Sequence, residues 1–162
     1  MPPLTTRDVL VAALTDARTR KRYYDKVMVV PGSTCAWWVG AISGRGHGRF
    51  WLAPGHAVIA HRYGYLLTYG AQHLESGALL LGHSCDNPLC QNVEHLRPMS
   101  SHENSAEWSR RRHDVGGALR DDRGALGRAR AARAALLNGE DLQAALDAGL
   151  SPLDRDQFTL WD

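Results

Sequence analysis

Apolar side chains recur every three or four positions near the start of the chain, at Val9, Leu10, Ala13, Leu14 and Ala17. That period predicts a helix, capped by Thr5 or Thr6 and ending in the basic-aromatic run RTRKRYYDK. After Pro31 and Gly32 the pattern shortens to two strand-like pieces, TCAWWVG and HGRFWLA, separated by the flexible ISGRGHG, so a twisted hairpin is the economical arrangement. Residues 57–69 return to helical spacing through Val58, Ala60 or His61, Tyr65, Leu66 and Tyr69, and stop at Gly70. ALLLGHSC then reads as a buried strand, and SSHENSAEWSRRR as a helix with Ser100 or Ser101 near its cap. Strand, polar loop and helix thus follow one another within a short stretch.

Beyond Gly116 and Gly117 the composition shifts to alanine, arginine and leucine, which predicts two helices near 123–138 and 140–148 joined at Asn138 and Gly139. The last residues, DQFTLWD, form an apolar peptide on an acidic background. No internal repeat is visible. The expected organisation is an N-terminal helical segment over 1–30, a central domain over 31–114, and a C-terminal helical region and tail over 115–162.

The chain has 162 residues, enough for one compact domain with its own core. The N-terminal apolar run is brief and broken by Asp16 and Arg18, so no signal peptide is expected, and no stretch has the length or polarity of a membrane span. Three cysteines, one of them fifty positions from the next, match a disulfide framework poorly, so the expected compartment is the cytoplasm. Net charge is only +2 but unevenly spread: residues 97–133 hold nine arginines against five acids, and 134–162 one arginine against six acids. The first block suits phosphates and the second another protein surface.

The densest chemistry is GHSCDNPLCQNVEHL, residues 82–96. Cys85, Cys90 and His95 surround one tight loop, and Cys35 is the only other thiol available as a fourth ligand. Zn2+ favours such a closed Cys3His set, with no position open for catalysis, so the metal is expected to be structural. DNP and QN supply the turns the ligands need. His83 lies at a strand end beside this loop, where an imidazole suits general-base work.

The run from His83 through Leu96, followed by Asn104 nine positions after His95, resembles the HNH family of ββα-metal (His-Me finger) nucleases. Within it the likeness is to zinc-stabilised homing-type endonucleases, phage- or intron-encoded, with the pattern H-x-C-D-N-P-x-C-x-N-P-x-H-L. Upstream, CAWWVGAISGRGHGRF and AHRYGYLLTYG are similar to further segments of the family, so the resemblance covers roughly residues 33–112. It departs at Val93, where the family has proline.

The resemblance implies an α+β fold: a ββα-metal core, a preceding β-hairpin, one structural zinc and flanking helices. It implies that His83 activates water against a DNA phosphodiester. Asn104 would hold a catalytic Mg2+, with Mn2+ as a substitute, and Asn92 would bond across the loop to fix His83. Arg49 is the expected cation on the non-bridging oxygens, with Arg62 its competitor, and His102 or Glu103 are alternatives to Asn104. Products would carry a 5′ phosphate and a 3′ hydroxyl. Arg45, His47 and Arg49 of the hairpin, and Arg110, Arg111 and Arg112 after the metal-binding helix, are the expected contacts to double-stranded DNA. Cutting both strands needs two sites, so a homodimer is expected, with DQFTLWD as a docking tail. The contrasting expectation is a zinc-bound DNA-binding or regulatory module that does not cut; a non-specific phage-type nuclease shares the same site. Trp37, Trp38, Trp51, Tyr63 and Tyr65 are read as core rather than base-stacking residues. His56, His61, His73 and His113 are assigned no chemistry.

Overall fold

Thr5 starts the first helix by a reciprocal cap: its hydroxyl accepts from the Asp8 amide, and the Asp8 carboxylate accepts from Thr5. The helix does not run on into the basic-aromatic stretch. Asp16 leaves helical geometry and its carboxylate accepts from the Thr19 amide at 2.7 Å, so one residue ends α1 (Thr6–Thr15) and caps α2 (Ala17–Tyr24). The computed structural model describes residues 4–74 and 80–154. It is an α+β molecule of helices and three two-stranded antiparallel sheets among the described residues.

The strand pairing differs from the expected hairpin. β2 (Ala36–Trp38) pairs backwards with β1 (Val27–Val29), and β3 (Arg49–Ala53) pairs forwards with β4 (His56–Ile59). Between β2 and β3 only the isolated Ile42–Gly48 bridge remains. The reason is local. Ala53-Pro54-Gly55-His56 makes a tighter turn than ISGRGHG, with Gly55 at positive φ, and Val27–Val29 offers β2 an apolar partner of matching length. His56–Ile59 is accordingly strand, and α3 covers only Ala60–Tyr69.

β5 (Leu81–His83) pairs with β6 (Leu96–Pro98), and α4 (Ser101–Arg111) follows at once, begun by a Ser100–Glu103 capping box. The ligand-rich loop is the connection between β5 and β6. α5 (Gly124–Asn138) ends at Gly139 in the left-handed region, and α6 (Leu142–Asp147) starts at Asp141. The tail DQFTLWD, at 156–162, lies outside the described residues.

One core joins these pieces. Leu10, Ala13 and Tyr23 from α1 and α2 pack with Trp38, Phe50 and Tyr63, and the same cluster includes Leu89, Ala129 and Leu136. Tyr23, Trp38, Phe50 and Tyr63 meet ring to ring at centroid separations of 4.9–5.9 Å, mostly edge-on. Of the aromatics read as core, Trp37, Trp38, Tyr63 and Tyr65 are buried, whereas Trp51 is exposed. No helix among the described residues is long and apolar enough to cross a membrane.

Candidate metal centre and adjoining cleft

Cys35 reaches the loop through strand pairing. β2, which follows it, receives the loop backbone: the Trp38 amide donates to Leu89 O at 2.9 Å, the Gln91 amide to Ala36 O at 2.7 Å, and Trp37 bridges Cys90. This closes a fifty-residue separation. The loop itself turns on Asp86, at φ 52°, and on Asn87, whose side-chain oxygen accepts from the Leu89 amide. Aspartate tolerates the left-handed region better than most side chains.

The Sγ atoms of Cys35, Cys85 and Cys90 and the ring nitrogen of His95 all lie within 4.8 Å of one another. His95 Nδ1 is 3.4 Å from Cys90 Sγ and 3.8 Å from Cys35 Sγ. Three thiols this close cannot all ionise unaided. Hydrogen bonds from Cys85 and Cys90 push the Cys35 thiol far down, and the same contacts push Cys85 and Cys90 up. A cation at the centre removes that conflict, and a Cys3His donor set suits zinc. The four residues can therefore hold a metal such as zinc.

Asn92 organises the loop, but not through His83. Its amide nitrogen donates to Thr34 O at 2.8 Å and its oxygen accepts from the Glu94 amide, tying the Cys35 segment to the loop. The expected bond to His83 is replaced by one to the backbone: His83 Nε2 is 3.3 Å from Cys90 O. A carbonyl can only accept, so Nε2 carries the hydrogen and Nδ1 keeps its lone pair. Burial pushes His83 down to about 4, opposed by the Cys90 carbonyl, so the ring is neutral near pH 7.

His83 opens onto a cleft of about 410 Å3. Asn104 lines it from α4, with Trp108; His61 and Arg62 line it from α3, and Arg45 and His47 from the loop between Ile42 and Gly48. Glu103 is spent on the cap and His102 does not line the cleft, so Asn104 is the residue of the three that shares the cleft with His83. The His61 ring stands perpendicular to that of His83 at 4.5 Å between centroids, and His47 is 6.2 Å from His83. Burial lowers both His47 and His61.

The arginines distribute differently from expectation. Arg49 points outward from β3, with its guanidinium over the Trp51 ring at 4.6 Å, and does not line the cleft, because alternate positions on that strand face opposite ways. Arg62 does line it. Arg111 is a clamp: its terminal nitrogens donate to His83 O and Ser84 O and pair with Asp86 and Glu107, while its Nε is buried without a partner. Arg112 lies over Trp108 at 4.9 Å, and Arg110 lines a neighbouring groove with Arg97 and Ser84.

The far wall comes from residues whose sequence suggested nothing about the site. Leu119 and Ala125 line the cleft. α5 backs the Arg45 loop closely, since a Cβ at Gly46 would meet Ala125 O at 2.8 Å, and Arg133 donates to Val39 O and Gly40 O. The signal for His61 and Arg62 was present in AHRYGYLLTYG, but nothing in that segment alone says which side chains turn toward His83.

No family model matches the chain, and no solved structure matches it. It is similar to Protein 7.7 of Escherichia phage T7, at 37% identity over 73 residues, 45% of this chain and 53% of that protein. It is also similar to Protein 2.8 of the same phage, at 35% over 89 residues, 54% of this chain and 58% of that protein. The chain spans about half the length of the curated relatives it matches.

Proposed function

We propose that β5, β6 and α4 form a ββα-metal core of HNH type and that the protein is a metal-dependent DNA endonuclease. The observation that carries the reading is the cleft, beside the Cys3His centre, that His83 and Asn104 both line. His83 Nδ1, free because Nε2 is held by Cys90 O, takes a proton from the attacking water. The zinc centre acts at a distance, fixing the loop that carries the Cys90 carbonyl. Arg111 holds the His83 and Ser84 carbonyls from the other side.

Asn104 would hold Mg2+ through its amide oxygen, with substrate oxygens completing the shell. When bound there, the ion supplies charge stabilisation at the phosphate and the leaving 3′ oxygen. Double-stranded DNA is the proposed substrate, cut to a 5′ phosphate and a 3′ hydroxyl, and a homodimer is the proposed way to cut both strands. Of the His, Cys, Asp and Glu side chains among the described residues, only the Cys3His group stands close enough to hold a metal by itself, so an ion in the cleft would need Asn104 and the substrate. The second reading is a module that binds DNA without cutting.

The test is incubation of the zinc-loaded protein with supercoiled plasmid and long linear DNA, with Mg2+ or Mn2+ and with EDTA. Discrete fragments indicate a site-selective endonuclease, and a smear a non-specific one. His83→Ala should abolish cutting, a loss of at least ~100-fold, with zinc content and DNA affinity unchanged. Cutting that survives in His83→Ala overturns the assignment of the base; binding without cutting in the wild type supports the second reading.

A further inference from the structure

Arg62 stands apart from the other partly buried arginines. Arg111 is paired with Asp86 and Glu107, Arg120 with Asp154, and Arg123 and Arg128 with Asp121, while Arg133 donates to two carbonyls. Arg62 is half-buried and has no ion pair or hydrogen-bond partner among the described residues; its Nε, like that of Arg111, is buried without an acceptor, but no other atom of its guanidinium is paired either. A desolvated guanidinium without an anion is costly, and it stays protonated.

The preceding residue shows the same deficit. His61 is 3% exposed and its Nδ1 is buried with no partner. Both residues sit in the first turn of α3, where the N-cap, Ile59, supplies no side-chain acceptor, and Ile59, His61 and Arg62 line one wall of the cleft. The positive end of the helix dipole therefore faces the same space. Asp86 is the carboxylate that lines this cleft, and it already pairs with Arg111. An unpaired cation, an orphaned imidazole nitrogen and a helix start without a side-chain cap thus share one wall, and the cleft's carboxylate is already taken up by Arg111.

We propose that Arg62 and His61 form a phosphate subsite of the cleft, with Arg62 as the residue that grips a non-bridging oxygen of the phosphodiester and His61 Nδ1–H as a second donor. The proposal rests on the nuclease reading for its substrate but not for its chemistry, which is that of an anion site. It moves the substrate-contacting cation from β3 to α3. Arg62 presents a rigid fork of donors that a lysine does not reproduce.

The experiment uses the full zinc-loaded chain. Arginine side-chain Nε resonances are followed by NMR during titration with inorganic phosphate at constant ionic strength, and single-turnover DNA cleavage is compared for Arg62→Gln, Arg62→Lys and Arg49→Ala. The Arg62 Nε signal should shift saturably with phosphate. Arg62→Gln should slow cleavage at least ~100-fold with DNA affinity changed only a few-fold, Arg62→Lys should recover part of the rate, and Arg49→Ala should retain it. An Arg62 Nε signal indifferent to phosphate, or an Arg62→Gln protein that cuts at the wild-type rate, overturns the proposal. If Arg62→Gln loses zinc or fold, the wild-type titration decides. A wild-type protein that cuts nothing yet shows the shift supports the anion site and overturns the nuclease reading.

Discussion

Tyr23 provides a measurable link between the N-terminal helices and the loop that carries Cys85 and Cys90. Its hydroxyl donates to Gln91 Oε1 at 2.9 Å, and both side chains are buried. Burial drives the Tyr23 phenol far above its ordinary value, so it remains a donor at any pH the protein survives. Gln91 Nε2 donates to Leu89 O, and Tyr23 is the one side-chain donor that Oε1 has among the described residues. Tyr23→Phe keeps the ring and its packing but strands that oxygen, which costs about 1–3 kcal/mol. For a chain of this size, each kcal/mol lowers Tm by about 2–4 °C. Gln91→Met should cost a similar amount by stranding the phenol, while Leu89 O keeps the Trp38 amide as donor. The double variant removes both polar groups and should be less destabilised than the sum of the singles, by at least ~1 kcal/mol. Urea unfolding followed by circular dichroism, at one fixed free-zinc concentration, measures all four proteins. Additivity within ~0.5 kcal/mol would refute the claim that this bond couples α2 to the loop.

Three further outcomes follow from the geometry. The purified protein should contain one zinc per chain, and Cys90→Ser should lose both the metal and the ordered loop, because structural zinc contributes on the order of 10 kcal/mol to small sites; elemental analysis and chelator-induced unfolding check this, and a metal-free folded variant would contradict it. Gly64→Ala should destabilise by about 1–3 kcal/mol in thermal melts, since its Cβ would collide with the Tyr23 hydroxyl in the core; an unchanged Tm would show that the helix can shift. Asp154 is held down to about 2 by its bonds to Arg120 and the Gly116 amide, so it stabilises the fold above the unfolded value near ~3.9 and loses that contribution as pH falls through about 2. Asp154→Asn should therefore be less stable at neutral pH with the gap to wild type closing below pH 4, and a constant gap in acid titrations would count against the pairing.

What the sequence disclosed was local, and what it hid was long-range. The Asp86-Asn87-Pro88 turn, the Ser100 cap and the left-handed Gly139 each act over one loop or turn. Their chemistry fixes their geometry nearly alone. Strand partners are different, since the WW segment can satisfy its backbone against any apolar strand of three residues, and the choice of Val27–Val29 over Arg49–Ala53 depends on turns elsewhere. The side to which Arg49 points followed from that choice. Alternation along β3 puts Phe50 and Leu52 inward against the aromatic core, which obliges Arg49 and Trp51 to face out.

The same reasoning explains why the C-terminal region carried no legible role. Its alanines read only as helix formers, yet at Ala125 and Ala129 small side chains are what let α5 lie close to the Arg45 loop at Gly46. Close approach of two backbones leaves no chemical group in the sequence to announce it. Leu119 and Ala125 become part of the cleft through that packing, so residues with no chemistry of their own shape the space that Arg45, Arg62 and His83 line.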